Sequence, residues 1–304
     1  MATLTPQFFQ LLEANEKKIF FHNLSMQEKL WPQLFEKVTS TKAYEDRMRV
    51  AGFGTLALKA EGTPIAFDDP VEGTKSRVVH STFGLGHRIT MEMMQDDQFG
   101  IMNQMTADLS ESVVDHQERL AWGLLDDGFT GTSYTGLGGD TLFETTHVSI
   151  RDSSISQSNA LSPALSLGQA GIEAMMTMAR TTRSEEGRYQ NLSQSKLVFH
   201  PENEHQAYVL LNTEFITGSA NNDRSTVNST RSGLTPLSVP YLSSTTAWSI
   251  HAAPGKNGLK FYMRMPVEFS SAGDPDTKDM KNYVVYRASV AFDEWRNNYG
   301  SNAA

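Results

Sequence analysis

Phe53-Gly-Thr-Leu-Ala-Leu-Lys-Ala60 and Ser76-Arg-Val-Val-His-Ser-Thr-Phe83 are two strand-like runs on either side of a wide loop. Their β-branched, aromatic and small apolar residues suit a pleated surface. The loop between them, 61–75, is far longer than a tight hairpin turn. A two-stranded hairpin is only marginally stable alone in water. We therefore expect this hairpin to lie on another surface, which can be a neighbouring copy of the chain.

A long amphipathic helix follows the hairpin. Thr90 can cap a short first helix, and Asp96 or Asp97 can cap a second that ends near Gly128. One face of the second helix is apolar and acidic residues lie off it: Ile101, Met105, Leu109, Val113, Leu120 and Leu124, against Asp108, Glu111, Asp115 and Glu118. Its length of about 30 residues far exceeds the usual 11 or 12. Such a helix needs a sheet or another subunit to cover its apolar stripe.

Residues 1–50 are interpreted as a helical arm rich in aromatic side chains. This arm has more aromatic side chains than an exposed segment usually carries, among them Phe8, Phe9 and Phe20. We expect them to be buried, either on the body of the same chain or on another copy. Both alternatives stay open at this stage.

Helices and strands alternate without a repeat in the rest of the chain, so the fold class is α+β. Ser162-Pro163 is predicted to open a helix, and Lys196–Phe199 is predicted to be a buried strand. Trp248–Ile250 and Leu259–Arg264 are expected to pair around an Asn-Gly turn. A last strand is predicted from Tyr283 to Phe292.

Composition limits the classes of function. The chain has 304 residues, 39% hydrophobic residues, no cysteine and a formal net charge of −9. A core of ordinary size is expected, without disulfides or thiolate zinc sites, and no apolar run is long enough to span a membrane. Tight binding to phosphates is disfavoured because it depends largely on cationic side chains. Enclosing nucleic acid without gripping it remains compatible with this charge.

Motifs for catalysis or cofactor binding are weak. Gly84-Leu-Gly86 lacks the third glycine of a dinucleotide loop, and a β-turn is the better interpretation. His200 and His205 are five residues apart, not the four that place two ligands on one helix face. Asp274, Asp276 and Asp279 faintly resemble a calcium loop, but its glycine and closing glutamate are missing, and a solvated turn is the better interpretation. We expect no enzyme activity, no catalytic residue, no metal site and no cofactor.

Short strings fall in one order along nearly the whole chain. They are Phe67-Asp-Asp-Pro-Val-Glu-Gly73, Phe83-Gly-Leu-Gly86, Glu92-Met-Met-Gln-Asp-Asp97, Leu197-Val-Phe-His-Pro201 and Ala291-Phe-Asp-Glu-Trp-Arg296. None is diagnostic alone, but their joint order and spacing are specific. With these residues the chain resembles the major capsid proteins of tailed bacteriophages, most closely the Mu-like major head subunit group.

The resemblance implies the tailed-phage major capsid fold. Its parts would be an N-terminal arm at 1–50, an extended β-hairpin loop at 51–89 and a peripheral domain with a long spine helix at 90–160. An axial domain would follow at 161–255. Return strands and a C-terminal segment shared by both domains would occupy 256–304.

The resemblance also implies function and partners. Copies would self-assemble into the hexamers and pentamers of an icosahedral shell that encloses double-stranded DNA without reading its sequence. The protein would be a virion component assembled in the host cytoplasm, with scaffold, portal and decoration proteins as further partners and no membrane. Heterologous contacts repeated around closed rings generate such shells. Since only about 50 residues precede the loop, we expect a separate scaffold protein.

Contacts between subunits would then carry the function. The candidate contact residues come from the loop, its flanking strand and the arm: Phe67, Asp68, Asp69, Glu72, Lys75, Arg77, Arg88, Phe8, Phe9 and Phe20. Some relatives crosslink a loop lysine to a neighbour's asparagine, and although Lys59 and Lys75 are available, no crosslink is predicted. Two alternatives remain open: an encapsulin-type nanocompartment with the same fold, and a soluble hydrolase.

Overall fold

The computed structural model describes residues 5–96, 100–131, 133–134, 136–214, 227, 233–274, 277 and 279–303, without the side chains of 5–12, 94 and 95. The α-helices are α1 Thr5–Met26, α2 Met91–Asp96, α3 Ile101–Asp126, α4 Gln169–Thr181 and α5 Glu204–Asn212. The first strands are β1 Glu36–Thr39, β2 Tyr44–Ala51, β3 Val71–Val79, β4 Ser81–Ile89, β5 His147–Val148 and β6 Ser156–Gln157. The later ones are β7 Lys196–Phe199, β8 Thr235–Ser238, β9 Ala247–His251, β10 Leu259–Gly273, β11 Met280–Phe292 and β12 Asn298–Asn302.

The first sheet has the order β1-β10-β11-β4 and supports the long helix. β1 is parallel to β10, and the other two pairs are antiparallel. Helices α1 and α3 pack on this sheet and bury its apolar side chains together with their own. Trp31, for example, stacks on Phe261 with ring centroids 4.3 Å apart. The sheet thus covers the apolar stripe of α3, which is one of the two arrangements expected for so long a helix.

The second sheet has the order β12-β9-β7-β8 and separates two cores. Because side chains alternate along a strand, Leu197 and Phe199 of β7 face a cluster built with α4 and α5. Val198, between them, belongs to the cluster that contains α3. One short strand therefore joins the two halves of the chain.

The predicted hairpin exists but with different strands. β2 pairs antiparallel with β3, from Tyr44↔Val79 to Ala51↔Val71. Residues 53–60 form no strand and lie in the connecting loop, so that part of the prediction is wrong. The run 76–83 is split at His80 between β3 and β4. β2 falls almost wholly in the predicted arm, because Tyr44-Glu-Asp-Arg-Met-Arg-Val-Ala51 is too polar to predict a strand from sequence.

The long helix is confirmed and its charged residues are explained. α3 has 26 residues and follows Gly100, while Thr90 accepts a hydrogen bond from the Met93 N–H at the start of α2. Asp97 lies outside the described residues. Glu118 is buried rather than solvent-exposed, and its carboxylate accepts hydrogen bonds from the Leu30 N–H at 2.7 Å and the Trp122 Nε1–H at 2.6 Å.

Acidic residues at the end of α3 accept hydrogen bonds from residues of other loops. Asp126 accepts hydrogen bonds from the backbone N–H and the hydroxyl of Ser243, at 2.9 and 2.8 Å. Asp127 accepts from the backbone N–H groups of Ser133 and Tyr134, both at 2.7 Å. The two carboxylates therefore fix tertiary contacts, which outweigh their unfavourable position at the C-terminal end of a helix.

Three other local predictions are wrong. Ser162-Pro163 lies in the loop before α4, which begins at Gln169. β9 and β10 do not pair, because β9 lies between β12 and β7 while β10 lies between β1 and β11. Gly84 and Gly86 are in β4 rather than a turn. A Cβ atom at Gly86 would lie 2.7 Å from the Asn282 carbonyl oxygen, so close strand packing requires this glycine.

The strand at Lys196–Phe199 and the last long strand are both confirmed, the latter extending back to Met280. The polar segment at 217–233 lies almost wholly outside the described residues.

Candidate functional site: the β2–β3 hairpin and the edge of the first sheet

The β2–β3 hairpin carries an unusual share of exposed apolar side chains. Ten of the nineteen large exposed apolar side chains in the described part of the chain lie on it: Tyr44, Met48, Val50, Phe53, Leu56, Leu58, Ile65, Phe67, Val71 and Val79. Leu56 and Leu58 are fully exposed, at 102% and 100%. Contiguous exposed apolar surface on a soluble chain marks an interaction site. We call residues 52–70, between the two strands, the hairpin loop.

Arg151 holds the base of the hairpin loop. Its guanidinium donates to the Gly52 carbonyl oxygen at 2.7 Å, to the Asp69 carbonyl oxygen at 3.2 Å and to the Asp68 carboxylate. Asp68 also accepts from the Gly54 N–H at 2.7 Å. These contacts lower the pKa of Asp68, chiefly through the Arg151 hydrogen bond. Both ends of the loop are thus fixed while its tip is free.

Glu185 and Glu186 anchor the hairpin from the segment that follows α4. Glu186 accepts from the Gly52 N–H at 2.5 Å. Burial alone would raise the pKa of Glu186, but hydrogen bonds from Ser184 and Gly52 outweigh it and lower the pKa to about 2. The buried Glu185 pairs with Arg49 at 3.1 Å and with Arg296 at 3.0 Å. Those charges lower the pKa of Glu185 despite its burial.

Arg47 and His80 attach the other end of the hairpin to the first sheet. Arg47 donates to the Phe292 carbonyl oxygen at 2.6 Å and to Asp293 at 2.9 Å. His80, between β3 and β4, is buried with its ring nitrogens 2.8 Å from the Ser289 hydroxyl and 3.2 Å from the Ser40 hydroxyl. The hairpin is therefore joined to both halves of the subunit.

The structure places the sequence-predicted contact residues in three settings. Phe67 is 96% exposed, and Glu72 and Lys75 are exposed on β3. Others are exposed but already have a side-chain partner within the chain: Asp68 with Arg151, Arg77 with Asp46 at 2.7 Å, and Arg88 with Asp279 at 3.5 Å. Asp69 is also exposed, and it contacts Arg151 through its backbone carbonyl oxygen.

Phe20 lies in the third setting, the interior of the subunit. It is 0% exposed and stacks on Phe269 with ring centroids 5.0 Å apart. The within-chain alternative therefore holds for Phe20, whose side chain is not accessible to a neighbouring copy. The side chains of Phe8 and Phe9 lie outside the described residues.

A groove of about 590 Å³ lies beside β4, between α3 and the first sheet. Its floor is aromatic and aliphatic: Phe83, Leu85, Val113, Val284 and Tyr286. Its rim on α3 is acidic: Asp108, Glu111 and Asp115. Asp115 pairs with Arg119 at 2.7 Å, and both side chains of that pair are well exposed.

Sequence reasoning missed Arg151, Glu185 and Glu186. They lie in polar segments without periodicity, and their partners are 82 to 136 residues away in the chain. Only the density of charge in Arg183-Ser-Glu-Glu-Gly-Arg188 was visible as a signal. Among the described residues, no cluster of three or more His, Asp or Glu side chains is arranged to hold a metal ion. The helices in the described part of the chain are too short or too polar to cross a bilayer.

Comparison with known proteins identifies the fold. Residues 73–299 match the family model described as phage capsid protein. No curated protein sequence matches the chain. The structure is similar to a chain of the bacteriophage JBD30 procapsid, with 14% identity over 98% of this chain and 76% of that chain, at a TM-score of 0.54.

Two further solved structures share this fold. A capsid chain of the native GTA particle has 10% identity, 90% coverage of both chains and a TM-score of 0.59. The virus-like particle from Pyrococcus furiosus has 8% identity, covers 95% of this chain and 99% of that chain, and has a TM-score of 0.54. Identities this low establish the fold alone, which confirms the expected architecture. The domain boundaries within it stay a prediction.

Proposed function

The chain belongs to the phage capsid protein family and is a structural capsid subunit; we propose that its copies form the hexamers and pentamers of an icosahedral head around double-stranded DNA. The hairpin loop of each copy lies on its neighbour in this assembly. The Mu-like grouping stays a prediction within the family. The nanocompartment alternative is not favoured, because the matching family model is that of phage capsids.

One observation carries the proposal: the hairpin loop is anchored at its base and bare at its tip. Arg151 and Glu186 hold Gly52 in place, yet Leu56, Leu58 and Phe67 are almost fully exposed. Burying each such side chain is worth about 1.5–3 kcal/mol. That free energy is available only when a partner covers the loop, so it favours assembly.

The remaining partners follow from the same role. With a net charge of −9 the chain suits a container that encloses DNA without binding it tightly. We propose a virion location, assembly in the host cytoplasm and accessory scaffold, portal and decoration proteins. Catalysis plays no part in this proposal.

Removing the apolar tip of the hairpin loop tests the function. In one variant residues 56–66 are replaced by a short Gly-Ser linker, which leaves Gly54, Asp68 and β3 intact. We expect a folded subunit whose unfolding temperature stays within a few degrees of wild type, because the tip contributes little to either core. Shells should be absent by electron microscopy and sedimentation.

A length-matched control separates chemistry from geometry. Leu56→Ser, Leu58→Ser and Phe67→Ser together keep the loop length and should also abolish shells, whereas Thr55→Ser with Thr63→Ser should preserve them. A wild-type chain that stays monomeric under assembly conditions, with and without its scaffold, would overturn the proposal.

A further inference from the structure

The open edge of β4 has a shape and chemistry that call for another strand. β4 pairs with β11 along its full length, from Ser81↔Ala288 to Ile89↔Met280. Within the described residues no strand covers its other side. Exposed edges are usually protected by charge, proline or bulges. The first six residues of β4, Ser81-Thr-Phe-Gly-Leu-Gly86, have none of these protections, since their side chains are apolar or hydroxylic. The charge on this strand is Arg88, near its far end, where it pairs with Asp279 at 3.5 Å.

The hairpin loop contains a segment that has the composition of a strand but no sheet to join. The sequence Phe53-Gly-Thr-Leu-Ala-Leu-Lys-Ala60 predicts a strand, but this segment pairs with no strand in the described structure. If it is extended, Leu56 and Leu58 point to one side. Both are fully exposed in the isolated subunit. A sheet edge would supply hydrogen-bond partners for the backbone of this segment. An apolar groove beside that edge would bury both leucine side chains.

The groove beside β4 fits those leucines. Phe83 packs on His116 of α3, with ring centroids 4.4 Å apart, so the Phe83 side of the sheet faces the helix. Leu85 is on the same side by strand alternation and is 55% exposed. A volume of about 590 Å³ exceeds what two leucine side chains require. A strand added along β4 would place Leu56 and Leu58 next to Leu85, beneath α3.

The charges of the groove rim and of the loop segment are complementary. Asp108 and Glu111 on the groove rim are exposed carboxylates. The segment 53–60 contains no carboxylate and one cation, Lys59. The long flexible stem of lysine lets its ammonium group reach the rim from the position next to Leu58.

The segment that fills the groove must come from another copy. β3 has nine residues, so it places the hairpin loop about 30 Å from the start of β4 in the same chain. Arg151 and Glu186 fix the base of the loop there. A chain therefore cannot lay its own 53–60 on its own β4.

We propose that residues 53–60 of one subunit add as a fifth strand to the β4 edge of the adjacent subunit, with Leu56 and Leu58 in the groove under α3. This inference rests on the proposed function and names the surface on which the hairpin loop is received. Main-chain hydrogen bonds supply affinity in such strand addition, and the groove supplies specificity.

Engineered disulfides test the pairing, and the absence of natural cysteine makes them unambiguous. Leu85→Cys is combined with Leu56→Cys in one variant and with Leu58→Cys in another, so that a shift by one pleat is covered. Shells of at least one variant should give disulfide-linked chains on mild oxidation, and dissociated subunits should give monomers.

Tyr283→Cys is the matched control. Tyr283 is 43% exposed on β11 and, because it pairs with Gly86, lies on the opposite face of the same sheet from Leu85. Pairs of Tyr283→Cys with either loop cysteine should crosslink at least about tenfold less than the Leu85 pairs. Intact shells in which the control pairs crosslink and the Leu85 pairs do not would overturn this inference and leave the proposed function standing.

Hydrogen exchange on the wild-type protein gives an independent readout. The amides of 53–60 and those of the outer edge of β4 should become protected together when subunits assemble. Protection of β4 that appears only with scaffold or decoration protein bound would assign the edge to that protein and reject the inference. If the wild type forms no shells at all, the proposed function fails first and this inference with it.

Discussion

At the scale of single residues, adjacent side chains in this subunit have opposite roles. Phe20 is fully buried against Phe269, whereas Phe21 is 37% exposed on the same helix. Their rings meet edge to face, with centroids 5.2 Å apart. The boundary between the core and the surface available to partners thus passes between two consecutive residues.

Alanine substitution should separate these roles. Phe20→Ala is expected to lower the free energy of unfolding by about 3–5 kcal/mol, the usual cost of a buried Phe-to-Ala cavity. Phe21→Ala should cost less, about 1–2 kcal/mol, because 37% of this residue is already exposed to water and its removal opens no internal cavity. Urea unfolding of the unassembled subunit measures both. Equal costs for the two variants would show that α1 is not docked on the first sheet as described.

At the scale of elements, the hairpin is a strand pair whose inner face is charged. Arg47 and Arg49 point inward on β2, where a typical strand would carry aliphatic side chains. Each finds an acidic partner from a distant segment, Asp293 and Glu185. The base of the hairpin is therefore held by ion pairs and hydrogen bonds, and its attachment depends on protonation.

Glu186 gives this dependence a direction. Its pKa is lowered to about 2 in the folded chain, from an ordinary value of 4.5. The stabilisation it provides is complete above pH 4.5 and is lost as the pH falls toward 2. Glu186→Gln should imitate the acid state at neutral pH. Exchange of the Gly52 amide should then accelerate about tenfold or more, because a hydrogen bond to a charged group is worth about 1.5–3 kcal/mol.

Glu72→Gln provides the control, since Glu72 is exposed on the same hairpin and no hydrogen bond of its side chain is seen. It should leave the exchange of Gly52 unchanged. If Glu186→Gln also leaves it unchanged, then Arg151 alone holds the base of the hairpin loop.

The hairpin also shows what sequence can and cannot predict. The periodicity of α3 and the apolar run of β11 are local signals, and both elements were predicted nearly as observed. β2 was missed because its buried face is arginine, whose partners cannot be located from spacing. Residues 53–60 were assigned to a strand because their composition is that of one, yet within one chain they have nothing to pair with. The family resemblance indicates the exposed loop, but the residues that anchor it are 82 to 134 positions away in the chain and come together only in the fold.

At the scale of the whole molecule, a polar seam joins the two cores. Asn159 is fully buried and donates to the Leu142 carbonyl oxygen at 2.6 Å and to the Asn298 carbonyl oxygen at 2.8 Å. Asn298 in turn accepts from the His251 ring at 2.8 Å. The other ring nitrogen of His251 lies 2.7 Å from the Ser249 hydroxyl. A neutral ring satisfies both contacts, and the complete burial of His251 disfavours its charged form.

Acid should therefore weaken the whole subunit through His251. Burial lowers its pKa to about 4 from 6.5, against a small opposing effect of the Asn298 hydrogen bond. Stability from this group is complete above pH 6.5 and falls as the pH drops to 4, by about 3 kcal/mol at about 1.4 kcal/mol per pKa unit. Thermal unfolding of the dissociated subunit across this range measures the slope.

Two variants isolate that contribution. His251→Gln should reduce the slope between pH 6.5 and 4, even though it lowers stability at neutral pH. The remaining slope belongs in part to His80, His87 and His116, whose pKa values are also lowered by burial. His205→Gln, at an exposed position on α5, should keep the wild-type slope. An unchanged slope in His251→Gln would assign the pH dependence to other groups.

Because the hairpin is attached to both halves of the subunit, a small tilt between the halves would produce a larger displacement at the far end of the hairpin. Arg47 ties it to Asp293 beside the first sheet, and Gly52 ties it to Glu186 beyond α4. If the two halves tilt by about 5°, the far end of a strand about 30 Å long moves by roughly 3 Å. In the proposed assembly, a small internal adjustment in one copy would thus become a displacement at the next copy. If the proposed pentamers and hexamers form, the difference in local curvature between them would be passed from copy to copy through the hairpin.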